Sequence, residues 1–400
     1  MLAFDPARVI SDLRELARFG AYKTGVHRPT FSDDDIAARR WFAGRLEEAG
    51  LEASIDGIGN VYGFSPGPGP KMLTGSHLES QNHAGWLDGA LGMVFGLEAA
   101  RALGRGVDVA GWCDEEGHFG SFLGSRSFVG LLEDEEIDRL TNKYDGTPLR
   151  DALARAGLAG LPRRRFEPGR QKAFVEAHIE QGDTLESSGR RIGIVTAIVA
   201  IWQYRITSTG EQNHAGTTSM ARRRDAGLAL VRVLARIDER FPAIAGPRSV
   251  WTTGRIELEP GAPSIIPGRA AMLFQLRDAD PEVLDQLQAE LYRLVDEANL
   301  DGRCPMEIEI LGQSRPALMD QTLQSVLEAA ANAAEPGCAV RMPSGAGHDA
   351  QYLARVMPAA MMFVPSIGGI SHHWSENTSD DDIVLGARVY CDAVAAALVA

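Results

Sequence analysis

Cysteine is scarce in this chain: four in 400 residues, Cys113, Cys304, Cys338 and Cys391, none in CxxC spacing. That excludes a disulfide framework and a cysteine-built metal knuckle, and the four read as free, buried thiols. Positive charge is short as well. Forty Lys and Arg against 54 Asp and Glu give a formal net charge of -14, which argues against nucleic acid or an anionic membrane as partner. The basic triplets at 163–165 and 222–224 are local exceptions. No stretch approaches eighteen consecutive apolar residues and no basic start precedes an apolar run, so neither a spanning helix nor an export signal is predicted; a cytoplasmic location is the default expectation. Internal repeats and low-complexity tracts are missing too.

What remains is an ordinary globular composition, 44% hydrophobic and 24% charged, on a chain long enough for two or three domains. Helices are predicted over 6–18 and 32–49, the second opened by Ser32 and closed by Gly50. Short strands over 52–55 and 61–64 lead through the SPGPGP loop into KMLTGSHLESQNHAGWLDGALG. There 72–74 reads as the end of a buried strand, His77 follows a Gly-Ser turn, and Asp88 precedes a helix over 89–103. A strand over 107–113 follows. Apolar strands alternating with helices predict a mostly parallel sheet covered on both faces. Between about 200 and 313 the order changes to strand, helix, strand, strand, helix, strand, a ferredoxin-like βαββαβ unit inserted in the first domain. The chain then returns to helix 319–334, the loop MPSGAGHDA, a strand over 359–364, the loop PSIGGISHHWSE and a last helix over 382–399.

Titratable residues collect at the strand ends. His77 and Asp88 can converge on one cation, since imidazole nitrogen and carboxylate oxygen are both good ligands for zinc and similar metals. Glu115 and Glu116 follow the strand VDVAGWC, at the carboxyl end where open α/β sheets place their crevices. Of two adjacent carboxylates, one can bind metal while the other moves protons. His178 ends another strand, and His372 lies in the Gly-rich loop GGISHHWSE. A solvated glutamate pair or a capping aspartate explains each one alone. Together, three histidines, Asp88 and one glutamate suffice for two metal ions sharing a bridging ligand.

The segments GSHLES with WLDGALG, DEEGHFGSFLGSR, HIEQG, NHAGTTSMARRRDA, SIIPG with QLRD, SGAGHDA and GGISHHWSE, in this order, resemble the dinuclear metal amidohydrolases of the hydantoinase/carbamoylase type. These comprise N-carbamoyl-L-amino-acid hydrolases, allantoate amidohydrolases, ureidoglycolate hydrolases and bacterial β-ureidopropionases. The resemblance implies a metallopeptidase-like catalytic domain, 1–199 with 314–400, and a lid and dimerisation domain, 200–313. It implies that His77, Asp88 and His178 hold one divalent ion and Asp88, Glu116 and His372 a second, with zinc favoured and manganese, cobalt or nickel able to replace it. Glu115 would be the base. His214 would reach the partner subunit's site in a homodimer and oppose the oxyanion. Arg277 would bind a substrate carboxylate, with Ile201, Ser264 and Gly347 as further substrate contacts. The chain departs from the family where relatives have His-x-Asp and it has His77-Leu78-Glu79, and where Ile201 and Ser264 replace side-chain amides. The expected reaction is hydrolysis of a linear C–N bond in an N-carbamoyl amino acid or related ureido acid. An aminoacylase or dipeptidase on the same scaffold, and a ligand-binding homologue without chemistry, are the alternatives.

Overall fold

The computed structural model describes residues 2–300 and 302–399 and divides into two compact units, one built from residues up to Thr196 and from Leu318 onward, the other Ala197–Ala317. The first is a mixed α/β unit around a nine-stranded sheet. Across it run Ala317–Leu318, Ile192–Ile198, Ala359–Val364, Gln171–Ile179, Lys71–His77, Val107–Trp112, Val61–Phe64 and Glu52–Ile55, with Ala339–Ser344 also paired to Ile192–Ile198.

The sheet is less parallel than the sequence suggests. Ala359–Val364, Gln171–Ile179, Lys71–His77 and Val107–Trp112 run parallel to one another. Toward the edges, Ile192–Ile198 is antiparallel to Ala359–Val364, and Val61–Phe64 is antiparallel to both of its partners. The short link 56–60 dictates the last of these, since only an antiparallel pair closes over so few residues. Part of the loop expected at MPSGAGHDA is strand: Ala339–Ser344 carries Pro343, which its pairing with one neighbour alone tolerates.

All residues of Lys71–His77, Val107–Trp112 and Ala359–Val364 are buried, so both sheet faces are covered. Helices Pro6–Leu16, Asp33–Glu48, Ala90–Leu103, Gln321–Ala334 and Asp380–Val399 supply the main apolar cluster. A second gathers around Phe119, Leu123, Ile137 and Leu149. Ser32 caps Asp33–Glu48 by accepting from Asp35 N–H. The four cysteines are buried, and among the described residues no helix is long and apolar enough to cross a membrane.

The second unit is a four-stranded antiparallel sheet in the order Val250–Glu259, Arg269–Asp278, Ala200–Thr209, Met306–Gln313. Helices Ala226–Arg240 and Pro281–Asn299 pack on it through Leu230, Val233, Ile237, Leu287, Leu291 and Leu294. The first helix starts at Ala226, because Asp225 accepts from Leu228 N–H and caps it there.

Candidate metal centre

Five elements of the first unit have an end near one point. The strand Lys71–His77 does not stop at a Gly-Ser turn; it continues through Gly75 and Ser76, paired with Ala110 and Gly111, and ends on His77 opposite Trp112. His178 is the penultimate residue of Gln171–Ile179. Asp88 comes just before the Ala90–Leu103 helix, whose cap Gly89 has φ 68°. A Cβ at Gly89 would run into the His77 ring, so glycine lets the aspartate close on that histidine. Glu115 and Glu116 lie in the turn after Val107–Trp112, and His372 lies in the loop after Ile367–Gly369.

Asp88 is the common partner. Its Oδ1 is 3.1 Å from His178 Nε2 and 3.4 Å from His77 Nε2, while its Oδ2 is 3.4 Å from His372 Nε2. His372 Nε2 in turn is 3.6 Å from Glu116 Oε2. Two ligand groups result, His77–Asp88–His178 and Asp88–Glu116–His372, with the donor atoms of each within 4.8 Å of one another. Donor atoms this close together are near enough to share one cation. The remote nitrogens support that reading. His77 Nδ1 faces the Glu79 carbonyl at 3.1 Å and His178 Nδ1 the Ile179 carbonyl at 2.9 Å. Both rings then carry the neutral-state proton on Nδ1, an assignment from the hydrogen-bond network, and turn the Nε2 lone pair to Asp88. His77 Nε2 is buried with no hydrogen-bond partner among the described residues. An unpartnered buried acceptor costs free energy that a ligated cation would offset.

Charge is concentrated accordingly. Burial works against a charged His77, but Glu115, Asp88 and Glu79 outweigh it and hold its pKa well above the ordinary imidazole value. Burial opposes the Asp88 carboxylate too, and the histidines overcome it, so Asp88 titrates well below the usual range. His372, hydrogen-bonded to Asp88, is raised to about 9. Burial, and then the neighbouring carboxylates, push Glu115 well above and Glu116 above their ordinary values. Here protons fill the role that divalent cations take in a His/carboxylate site.

The structure adds residues that the sequence did not single out. Gln181 donates to Asp88 Oδ2 at 3.0 Å, and Ser371 bridges Asp88 and Glu376. Glu376 accepts from Asp88 N–H at 3.1 Å, and burial, then Asp88, raise its pKa to about 8. Gln81 holds Glu116 through backbone and side chain, at 3.2 and 2.9 Å. The HIEQG segment could have pointed to Gln181 and the GGISHHWSE segment to Glu376. Three residues here, Asp114, Gln181 and His372, have left-handed backbones, with φ 57°, 58° and 54°. Non-glycine residues adopt that conformation at a cost and cluster at functional sites.

One expectation changes. Glu79 does not orient His77 through its carboxylate, whose Oε1 lies 3.9 Å from Nδ1; its backbone carbonyl does so instead. In the second unit, Arg277 pairs across the sheet with Ile201, is half-buried, and donates from Nε to Gln275. His214 and Ser264 come together where Asn213–His214 pairs with Ile265–Ile266 and Ala215 N–H donates to the Ser264 carbonyl. His214 Nδ1 accepts from Gly216 and Thr217 N–H, leaving Nε2 as the donor. Gly347 belongs to the first unit, where a Cβ would crowd Phe122 at 2.9 Å.

Comparison with known proteins agrees with this architecture. Residues 75–396 match the Peptidase family M20/M25/M40. The N-carbamoyl-L-amino acid amidohydrolase of Geobacillus stearothermophilus is 33% identical over 96% of this chain and 96% of its own. The allantoate amidohydrolase of Escherichia coli K12 is 33% identical over 93% of each. A crystal structure of an amidase of the hydantoinase/carbamoylase family from Burkholderia phymatum superposes with a TM-score of 0.92 at 48% identity, covering 100% of this chain and 98% of that one. The chain therefore belongs to the M20/M25/M40 peptidase family, among its hydantoinase/carbamoylase-type amidases.

Proposed function

We propose that the protein hydrolyses a linear carbamoyl or ureido C–N bond in an N-carbamoyl amino acid or related ureido acid, using two divalent metal ions. The observation that carries this is Asp88, whose Oδ1 meets the imidazoles of His77 and His178 at two strand ends and whose Oδ2 meets that of His372 in a loop, an arrangement suited to a bridging ligand. His77 and His178 would complete one ion's set and Glu116 and His372 the other's. Bound there, such ions would polarise the scissile carbonyl and acidify water.

The chain's own groups supply the rest. Glu115 Oε2 lies 3.8 Å from His77 Nε2, is held by no other ion pair among the described residues, and has its pKa raised by burial, which suits a group that takes a proton from water and returns it to the leaving nitrogen. His214, its Nε2 a donor, would oppose charge on the tetrahedral oxygen, reaching across a homodimer formed through the inserted unit as its lid. Arg277 would grip the substrate carboxylate with its planar fork. Zinc is the first expectation for the metal.

Ile201 beside Arg277 argues for an apolar wall, and Ser264 offers less polar reach than an amide. Loss of a polar group on the protein discriminates strongly against a substrate that needs it, and each substrate methylene against an apolar wall gains about 1–3 kcal/mol. A panel of carbamoyl, N-acetyl, dipeptide and ureido acids given to metal-reconstituted enzyme tests this. Monocarboxylic carbamoyl substrates with apolar or aromatic substituents should lead, allantoate should be poor, and Arg277→Ala should raise KM sharply. Efficient allantoate hydrolysis sinks the specificity assignment, and preference for N-acetyl or dipeptide substrates moves the enzyme to the aminoacylase or dipeptidase class.

A further inference from the structure

Glu79 is fully buried and spans two loops of the site. Its Oε2 accepts from Arg39 at 2.6 Å, and its Oε1 accepts from the backbone N–H of Glu115 at 2.6 Å. Arg39, also fully buried, donates to Asp35 Oδ2 at 3.0 Å and to the Gly59 carbonyl at 2.9 Å. Asp35 is anchored in turn by accepting from Phe31 N–H at 2.8 Å. Three buried charges in a row are expensive to desolvate, and a chain that keeps them gains precision of placement more than stability.

What they place is the turn that carries Glu115. The other side of this turn is wound around Asp114, whose carboxylate accepts from the N–H groups of His118, Phe119 and Gly120 at 2.7, 3.0 and 2.8 Å and from Thr30 Oγ1 at 2.7 Å. The Glu115 N–H donates to Glu79 and not to Asp114. The imidazole of His77, by contrast, already has its Nδ1 partner in the Glu79 backbone carbonyl. One methylene more than aspartate carries the carboxylate past the imidazole to Arg39 and Glu115.

We propose that the carboxylate of Glu79, locked by Arg39 and Asp35, positions the general base Glu115 and is not the orienting partner of the metal ligand His77, a part that falls to the Glu79 backbone carbonyl. The inference rests on the amidohydrolase reading, in which Glu115 moves the proton. It assigns the helix Asp33–Glu48 a part in the site, because Arg39 and Asp35 both stand on it. A shift of about 1 Å in a reacting group can cost about a hundredfold in rate.

The test separates metal affinity from turnover. Zinc affinity is measured by competition with a chromogenic chelator, and kcat and KM on an N-carbamoyl amino acid after saturation with zinc, for wild type, Glu79→Gln, Glu79→Asp and Arg39→Lys. Positioning of Glu115 predicts zinc affinities within about threefold of wild type, unchanged KM, and kcat lowered at least tenfold in all three variants. Orientation of His77 instead predicts zinc affinity falling about 10–100-fold in Glu79→Gln, with kcat recovering once metal is saturated. That outcome overturns the proposal, as does full kcat in Glu79→Asp, whose shorter carboxylate restores the His-x-Asp spacing of relatives. Thermal unfolding monitors folding; should Glu79→Gln not fold, Glu79→Asp and Arg39→Lys, which keep their charges, still decide between the two. A wild-type protein that binds no zinc would defeat the parent reading, which the same titration shows separately.

Discussion

Gln181 donates its side-chain amide to Asp88 Oδ2 at 3.0 Å, and it does so from a left-handed backbone. The same oxygen faces His372, so the amide fixes how the carboxylate divides its two oxygens between the two ligand groups. Gln181→Ala should weaken the ion held with His372 and Glu116 about 10–100-fold, as loss of a partner behind a ligand does elsewhere, and spare the other ion. Stepwise metal titration by calorimetry reads the two affinities; equal loss at both would contradict this division.

Glu115 and Glu116 are neighbours in sequence with different surroundings. Glu116 belongs to a ligand group and is held by Gln81, whereas Glu115 does not. Glu115→Gln should keep the metal and lower kcat by about a hundredfold to ten-thousandfold, the usual contribution of a general acid-base group. Glu116→Gln should lose metal first. Equal metal loss in both variants, read by elemental analysis, would remove the distinction.

The metal-free protein should become less stable as pH rises. His372 is raised from 6.5 to about 9 by Asp88, and Glu376 from 4.5 to about 8 by burial and Asp88. Both bind their protons more tightly folded than unfolded. Their stabilisation is complete below the unfolded values, 4.5 and 6.5, and is lost as pH climbs through about 8 and 9. Asp88, shifted the other way, loses its contribution only as pH falls below the carboxylate range and does not enter this window. Tm of chelator-treated protein should therefore fall between pH 6.5 and 9, and added zinc should flatten the slope. A Tm that rises over that interval would refute the assignment.

Subunit mixing tests the role given to the inserted unit. His214→Ala and Glu115→Gln subunits, each inactive alone, should regain part of the activity when exchanged, because one site of the heterodimer holds both residues intact. No recovery under verified exchange would place His214 in its own subunit's site or outside the chemistry.

Much of the scaffold was legible because its signals are local. Ser32 and Gly50 bracket a helix, and the apolar runs before His77, Glu115 and His178 are strands that end where the chemistry sits. Asp88 was readable because it stands just before the start of a predicted helix. Strand direction at the sheet edges was not, since a buried strand looks alike in either orientation. The strand through Pro343 was hidden by a residue that normally ends strands. Least legible were residues whose partners are remote in sequence. Nothing in the run DDDIAARRWF separates Arg39, fully buried against Glu79 forty residues away, from exposed Arg40. Glu376, nearly 300 residues from the Asp88 N–H it accepts, carries no periodic mark.

The most direct measurement is metal content and carbamoyl hydrolysis followed together through chelation and reloading. Two ions per chain in the active protein, activity lost in step with their removal by chelator, and recovery on adding zinc or manganese back are the predicted results. Full activity in protein free of metal, or two bound ions with no hydrolysis of any carbamoyl, ureido, acyl or dipeptide substrate, would contradict the account.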